Sequence, residues 1–361
     1  DWFRHGHHSD KAYDSVILHV VSEADTEITR SNGEQIPQLL LTCPENVQLH
    51  YHELCVADHY PACYSILASL PKLTIHSWLT ALQTERLEQK AQLITQRLKH
   101  CNSNWEDAFF ITLARNFGFG LNGDAFETWA GLLPFRAMDK HRNDLFQIEA
   151  FFYGLAGLLE ETFLKKEQED EYSLRLCKEF RYLQRKFEIG QGMDATLWRF
   201  LRLRPENFPH IRLAQLAYLY QKGDKLFSRL LEAETLADVR NLLDARTSPY
   251  WENHYLFGRL SSQKEKAMGE RSKDLIIINT VVPFLYTYGL HKADERMCER
   301  AGRFLEELKA ESNHIIRSWS DAGLPVVSAA DSQALIQLQK EYCDKRKCLY
   351  CRFGYEYLKH T

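Results

Sequence analysis

Strand-like patterning occupies only the first 42 residues of this 361-residue chain, and beyond Pro44 the apolar residues recur mostly at the helical period. Ser15 to Val21 is apolar and rich in β-branched residues. Thr26 to Arg30 follows an acidic turn, and Ile36 to Thr42 supplies a third segment beyond the Asn32-Gly33 turn signal. Two or three short strands cannot bury a face alone. The expectation is therefore an α+β chain, a small N-terminal mixed sheet followed by a predominantly helical body, with the sheet needing helices downstream or strands upstream.

The helical part begins near Val47. In TIHSWLTALQTERLEQKAQLITQRLKH, Trp78, Leu79, Leu82, Leu87, Ala91, Ile94 and Leu98 favour one side of a long helix. Further helices are expected near 106–115, 123–133, 147–161, 169–186, 208–221, 226–245, 270–288, 292–310 and 328–342. The run ERSKDLIIINTVVPFLYTYG predicts a core helix kinked at Pro283, with Asn279 as a polar group needing a partner. No fixed-period repeat argues for a solenoid. Breaks near Thr42–Asn46 and Arg246–Glu252 divide the chain into a partial strand-rich domain at 1–43, a helical domain at 44–246 and a C-terminal helical region at 247–361 with a cysteine-rich tail.

A hydrophobic fraction of 45% and a charged fraction of 26% suit a folded globular chain. The formal net charge of −4 gives no global attraction to nucleic acid or anionic membrane. Apolar runs stop short of the ~20 helical residues that cross a bilayer, and no signal peptide opens the chain. Nine cysteines, an odd number dispersed over a long chain, argue against a secreted disulfide framework. A cytoplasmic location is the resulting default. The start at Asp1, with a polar opening leading straight into a strand, suggests a processed or truncated chain.

The opening, DWFRHGHHSDKAYDSVILHVV, brings His5, His7, His8, Asp10 and Asp14 close together. Imidazole and carboxylate suit zinc, manganese or iron, so a divalent metal or acid–base site is one reading. The spacing is not HExxH, and a structural or surface role is the other. His19, inside VILHVV, is expected to be a buried neutral histidine or to mark a site at the strand end.

The tail, KEYCDKRKCLYCRFGYEYLKHT, carries Cys343, Cys348 and Cys351 as C-x4-C-x2-C. A two-residue gap lets two thiolates face one ion. A closed zinc site needs a fourth ligand, with His360 or the distant Cys298 as candidates. The three cysteines could also bind part of an iron–sulfur centre, again with a distant fourth ligand. Packing of the cysteines as small hydrophobes, or a redox pair, remains open. Lys345, Arg346, Lys347 and Arg352, beside Tyr350 and Phe353, form either a charged surface or a patch touching phosphates.

Arg202, Arg204 and Arg212 in RLRPENFPHIRLAQLA are candidates for phosphate binding, with ion pairs to Glu206 and other acids as the simpler use. RNFGFGLNGDAFETWAG lacks a phosphate-loop fingerprint, so its glycines are expected to end one helix and let another start at Asn122 or Asp124. KKEQEDEYSLR reads as a solvated helix start. Ser328, His314 and Asp331 offer no nucleophile elbow on which to build a triad.

Taken together, DWFRHGHHSDKAYDSVILHVV, ARNFGFGLNGDAFE, RPENFPHIRLAQLA and DSQALIQLQKEYCDKRKCLYCRFG resemble the DUF2851 family of bacterial proteins, found largely in Bacteroidetes, over the whole chain. Members carry further residues before the DW segment, including an acidic, glycine-rich stretch and a Glu-Ile-His strand. The resemblance implies no established reaction. By analogy it implies a restriction-endonuclease-like PD-(D/E)XK arrangement, in which carboxylates and a divalent ion activate water. His5, His7, His8, Asp10 and Asp14 would then line the metal or substrate side of a nuclease-like, nucleic-acid-processing protein. The competing class is a noncatalytic helical interaction or scaffold protein with a metal-stabilised or packed tail. The expected partner is accordingly a nucleic acid or a protein.

Overall fold

The computed structural model describes residues 1–160, 163–164 and 169–359. Helix accounts for 61% of the described residues and strand for 4%. The Cα packing divides it into two compact units, one made of Asp1–Trp78, His314–Pro325 and Ile336–Thr361, the other of Leu79–Asn313 and Val326–Leu335.

In the first unit, the expected strands are trimmed to a parallel pair, His19–Val21 with Gln38–Leu40, registered His19 to Gln38 and Val21 to Leu40. The middle segment contributes only an antiparallel bridge, Thr29 to Gln35, across a turn in which Gly33 takes φ 81°. Positive φ costs glycine little, which is why the Asn-Gly signal sits there. Trp2, Ile28 and Ile36 form a small buried cluster with Tyr13 and Val16 against it. Ile17, Leu18, Val20, Leu39 and Leu40 stay exposed. Helices of this unit include Glu45–Val56, Tyr64–Leu67, His314–Asp321, the π turn Leu338–Cys343 and, after a 3-10 turn at Cys348–Tyr350, Arg352–Lys359.

The second unit holds the large core. The helix Lys72–His100, most of which belongs to it, buries Leu79, Leu82, Leu87, Ala91, Ile94 and Leu98, the side marked by the periodicity. Trp105–Phe117 starts under Asn104, whose side chain accepts from the backbone N–H groups of Glu106 and Asp107. It ends at the glycine-rich turn, and Gly123–Gly131 comes next. A Cβ on Gly118 would lie 2.4 Å from the Gly123 nitrogen, so only glycine lets this turn close. Leu145–Leu155, capped by Asp144, is buried continuously from Ile148 to Leu155 and runs through the middle of the core. The expected helix at 226–245 is two, Leu226–Glu232 and Leu236–Leu242. Thr235 forms a reciprocal capping box with Asp238 and starts the second.

Pro283 acts differently from a simple kink. A π turn at Ile277–Val281 separates Glu270–Ile276 from Val282–Lys292, which places the proline in the first turn of the latter helix. Asn279 is only half-buried. Its side-chain oxygen accepts from Lys90 Nζ at 3.1 Å, its amide donates to Leu275 O at 3.0 Å, and its backbone carbonyl accepts from Asn116. A short antiparallel hairpin, His254–Leu256 with Arg259–Leu260, carries no mark in the periodicity. Of KKEQEDEYSLR, positions 165–168 lie outside the described residues, and the helix begins at Glu171 under an Asp170 capping box. Among the described residues no helix is long and apolar enough to cross a membrane.

Candidate metal centre

The opening histidines and aspartates are held by local packing. Trp2 is buried and donates from its indole N–H to Thr29 O at 3.0 Å. His7 lies edge-on to it at 5.5 Å and close to the Tyr13 ring at 4.1 Å; His5 stacks on His7, and His8 sits against Phe3. His19 is half-buried with its ring 5.4 Å from that of Trp2 and Gln38 at 3.4 Å from Nδ1, so it is neither fully buried nor isolated. Asp10 caps the 3-10 turn Lys11–Tyr13 by accepting from Ala12 N. Asp14 accepts from both the backbone N–H and hydroxyl of Ser31, at 3.0 and 2.7 Å. These bonds to Ser31 hold its carboxyl below the usual aspartate range. The five residues are neighbours, with the His7 and His8 rings against Trp2, Tyr13 and Phe3, His5 stacked on His7, and the carboxylates accepting from Ala12 N and from the Ser31 N–H and hydroxyl.

Arg202, Arg204 and Arg212 separate by burial. Arg202 and Arg204 are exposed, the former at φ 65°. Arg212 is buried, with Nη1 donating to Gln215 at 2.8 Å, Nη2 to Asn207 at 2.5 Å, and its guanidinium 4.3 Å above the Phe119 ring. Burial lowers its pKa to about 10. Glu206 pairs with Lys264 at 2.5 Å rather than with Arg212. Three of the four basic residues of the tail are likewise engaged, Lys345 with Glu341, Arg352 with Glu356 and Arg346 with the Cys55 carbonyl, and Lys347 is exposed. Phe353 is buried and Tyr350 is open to solvent.

The cysteines behave otherwise. Within the first unit, the turn after Glu45–Val56, the helix His314–Asp321 and the tail enclose a cavity of about 290 Å³ whose wall includes Cys63, Cys343, Cys348 and Cys351. Cys63 directly precedes the short helix Tyr64–Leu67; Cys343 ends the π turn Leu338–Cys343; Cys348 opens the 3-10 turn; Cys351 precedes Arg352–Lys359. All four are free thiols. Tyr60 donates to Asp344 Oδ1 at 3.1 Å and Gln339 to the same oxygen at 2.8 Å, fixing the segment after Cys343. Tyr355 N donates to Cys351 O at 2.8 Å and Cys351 N to Cys348 O at 3.2 Å, fixing the C-x2-C turn. Tyr357 to Glu53, at 3.0 Å, ties the last helix to the first.

Burial pushes the Cys63 thiol up to about 12, with negative charge on Cys351 and Cys348 adding to it. Burial, and then Cys351 and Cys63, raise Cys343; burial also raises Cys348 and Cys351. Cys348 adds to the rise of Cys63, Cys343 and Cys351, and is itself raised by Cys55, so the charged forms of these thiols disfavour one another and a cation would favour them as thiolates. Among the described residues, no three His, Cys, Asp or Glu side chains are placed to hold a single metal ion.

Gly354 is the tightest point of this wall. A Cβ there would lie 2.2 Å from the Cys348 carbonyl oxygen. Gly354→Ala is expected to cost about 1–3 kcal/mol by overpacking and to displace the Cys348 turn. Chemical denaturation checks this; an unchanged midpoint would refute the close approach.

His360 lies outside the described residues, and Cys298 belongs to the second unit, with its thiol 3.7 Å from Tyr286 O. The cavity residue that sequence reasoning missed is Cys63, which no spacing rule links to cysteines near the other end of the chain. No curated protein and no solved structure matches this chain. The family described as "Protein of unknown function (DUF2851)" matches residues 1–314, short of the tail cysteines, and the chain belongs to that family.

Proposed function

We propose that this DUF2851 member is a noncatalytic helical interaction or scaffold protein whose C-terminal tail is stabilised by a metal centre at Cys343, Cys348 and Cys351, with the thiols drawn together as it binds. The observation that carries the reading is the gathering of the three tail thiols on one cavity wall. A structural metal would then contribute folding free energy directly, as closed thiolate sites do. The nuclease-like alternative asks His5, His7, His8, Asp10 and Asp14 to serve a divalent ion. Their engagement with Trp2, Tyr13, Phe3, Ala12 and Ser31 weighs against it.

Elemental analysis of the untagged, natively purified chain is the test. Near-stoichiometric metal is expected, lost from a Cys343→Ser, Cys348→Ser, Cys351→Ser triple variant and retained when His5, His7 and His8 are replaced by alanine. A folded wild-type chain without metal would remove the metal lock. Magnesium- or manganese-dependent DNA cleavage that disappears with Asp10→Asn or Asp14→Asn would instead establish the nuclease class.

A further inference from the structure

We infer that Cys63, Cys343, Cys348 and Cys351 ligate one 4Fe–4S cluster, with Cys63 supplying the thiolate that the C-x4-C-x2-C tail lacks. The inference rests on the proposal that the tail holds metal, and deepens it by naming the group and its fourth ligand.

Three observations point the same way. Four cysteines from two segments far apart in sequence share one cavity wall, and two of them, Cys63 and Cys351, are buried there. The soft all-sulfur donor set selects zinc, cuprous copper or an iron–sulfur cluster over harder ions. His59 and Asp344 also reach the wall, but His59 lies 3.5 Å from the Asp58 carboxylate and Asp344 is held by Tyr60 and Gln339.

Size separates zinc from the cluster. Tetrahedral zinc draws four sulfurs to about 2.3 Å from one point. Here the four cysteines are among the residues that line a partly open cavity of about 290 Å³, and no three side chains are placed for one ion among the described residues. That space is many times the ~30 Å³ share of one water molecule. It suits a core of several irons and sulfides, in which each cysteine reaches a different iron.

The balance is simple. Two ferric ions, two ferrous ions and four sulfides form a core of charge 2+. Each of four Cys S–H groups gives up its proton as an Fe–S bond forms, so the bound cluster carries charge 2− and four protons are released without electron transfer. Arg346, which favours the Cys348 thiolate, supplies a nearby positive charge.

The full chain, purified without oxygen and reconstituted with ferrous iron, ferric iron and sulfide, is the material for the test. The expected result is about four irons and four sulfides per chain with broad visible absorbance, both lost in Cys63→Ser and kept in Cys298→Ser. Full iron and sulfide in Cys63→Ser would overturn the inference. So would a wild-type chain that takes up one zinc and no sulfide, which would leave the metal-locked tail standing; a chain that takes up no metal removes both. Should circular dichroism show Cys63→Ser unfolded, alkylation of the loaded wild-type chain decides. Cys63, Cys343, Cys348 and Cys351 should be protected until chelation while exposed Cys43 reacts throughout, and a reactive Cys63 in the loaded chain overturns the assignment.

Discussion

Trp129→Ala is expected to destabilise the second unit by about 3–5 kcal/mol, the range for removing a large buried aromatic side chain. The indole is fully buried, meets Phe152 edge-on at 4.7 Å and Phe126 at 6.0 Å, and donates to Phe152 O at 3.0 Å. That carbonyl also accepts from Ala156 N at 3.0 Å, so truncation would not orphan it. The loss would come from the cavity and the vanished ring contacts. Guanidinium denaturation followed by far-UV circular dichroism measures it, with exposed Leu132→Ala as a near-neutral control. A shift below about 1 kcal/mol would be incompatible with this core.

Glu149 gives the second large effect, and it appears only as a function of pH. The side chain is fully buried on the central helix, and burial pushes its pKa up to about 7 although Tyr172, Ser248 and Trp251 favour its charged form. The folded chain therefore keeps a proton that the unfolded chain, near 4.5, releases. The associated stability is fully present below about pH 4.5 and is lost as pH rises through 7, on the order of 3 kcal/mol. His210, lowered by burial to about 3, tilts the other way: its contribution is present above about 6.5 and falls away as pH drops towards 3. The two slopes oppose each other between about pH 4.5 and 6.5, so the wild-type curve alone is uninformative. The difference in unfolding free energy between wild type and Glu149→Gln should change by about 3 kcal/mol between about pH 4.5 and 8, and parallel curves would contradict a raised Glu149.

Local signals in the sequence locate local structure well. The apolar side of Lys72–His100, the starts under Asn104 and Asp144, and the glycine turn before Gly123 all derive from neighbours within a few residues. Apolar, β-branched composition overstates strand length at 15–21 and 36–42, because only His19–Val21 and Gln38–Leu40 find hydrogen-bonding partners. In the opening cluster the residue types are visible in the sequence, and the packing of the rings against Trp2, Tyr13 and Phe3 is not. Cys343, Cys348 and Cys351 are legible from spacing. Cys63 is not, because packing between distant segments leaves no periodic trace.

The division of the chain also bears on the timing of its biosynthesis. Residues Leu79–Asn313, which make most of the second unit, leave the ribosome as one uninterrupted stretch and can begin packing during translation. The first unit must wait: Cys63 emerges before that body, and Cys343, Cys348 and Cys351 emerge after it. The part of the cavity wall that carries Cys63 is thus made well before the segment with Cys343, Cys348 and Cys351 that completes it.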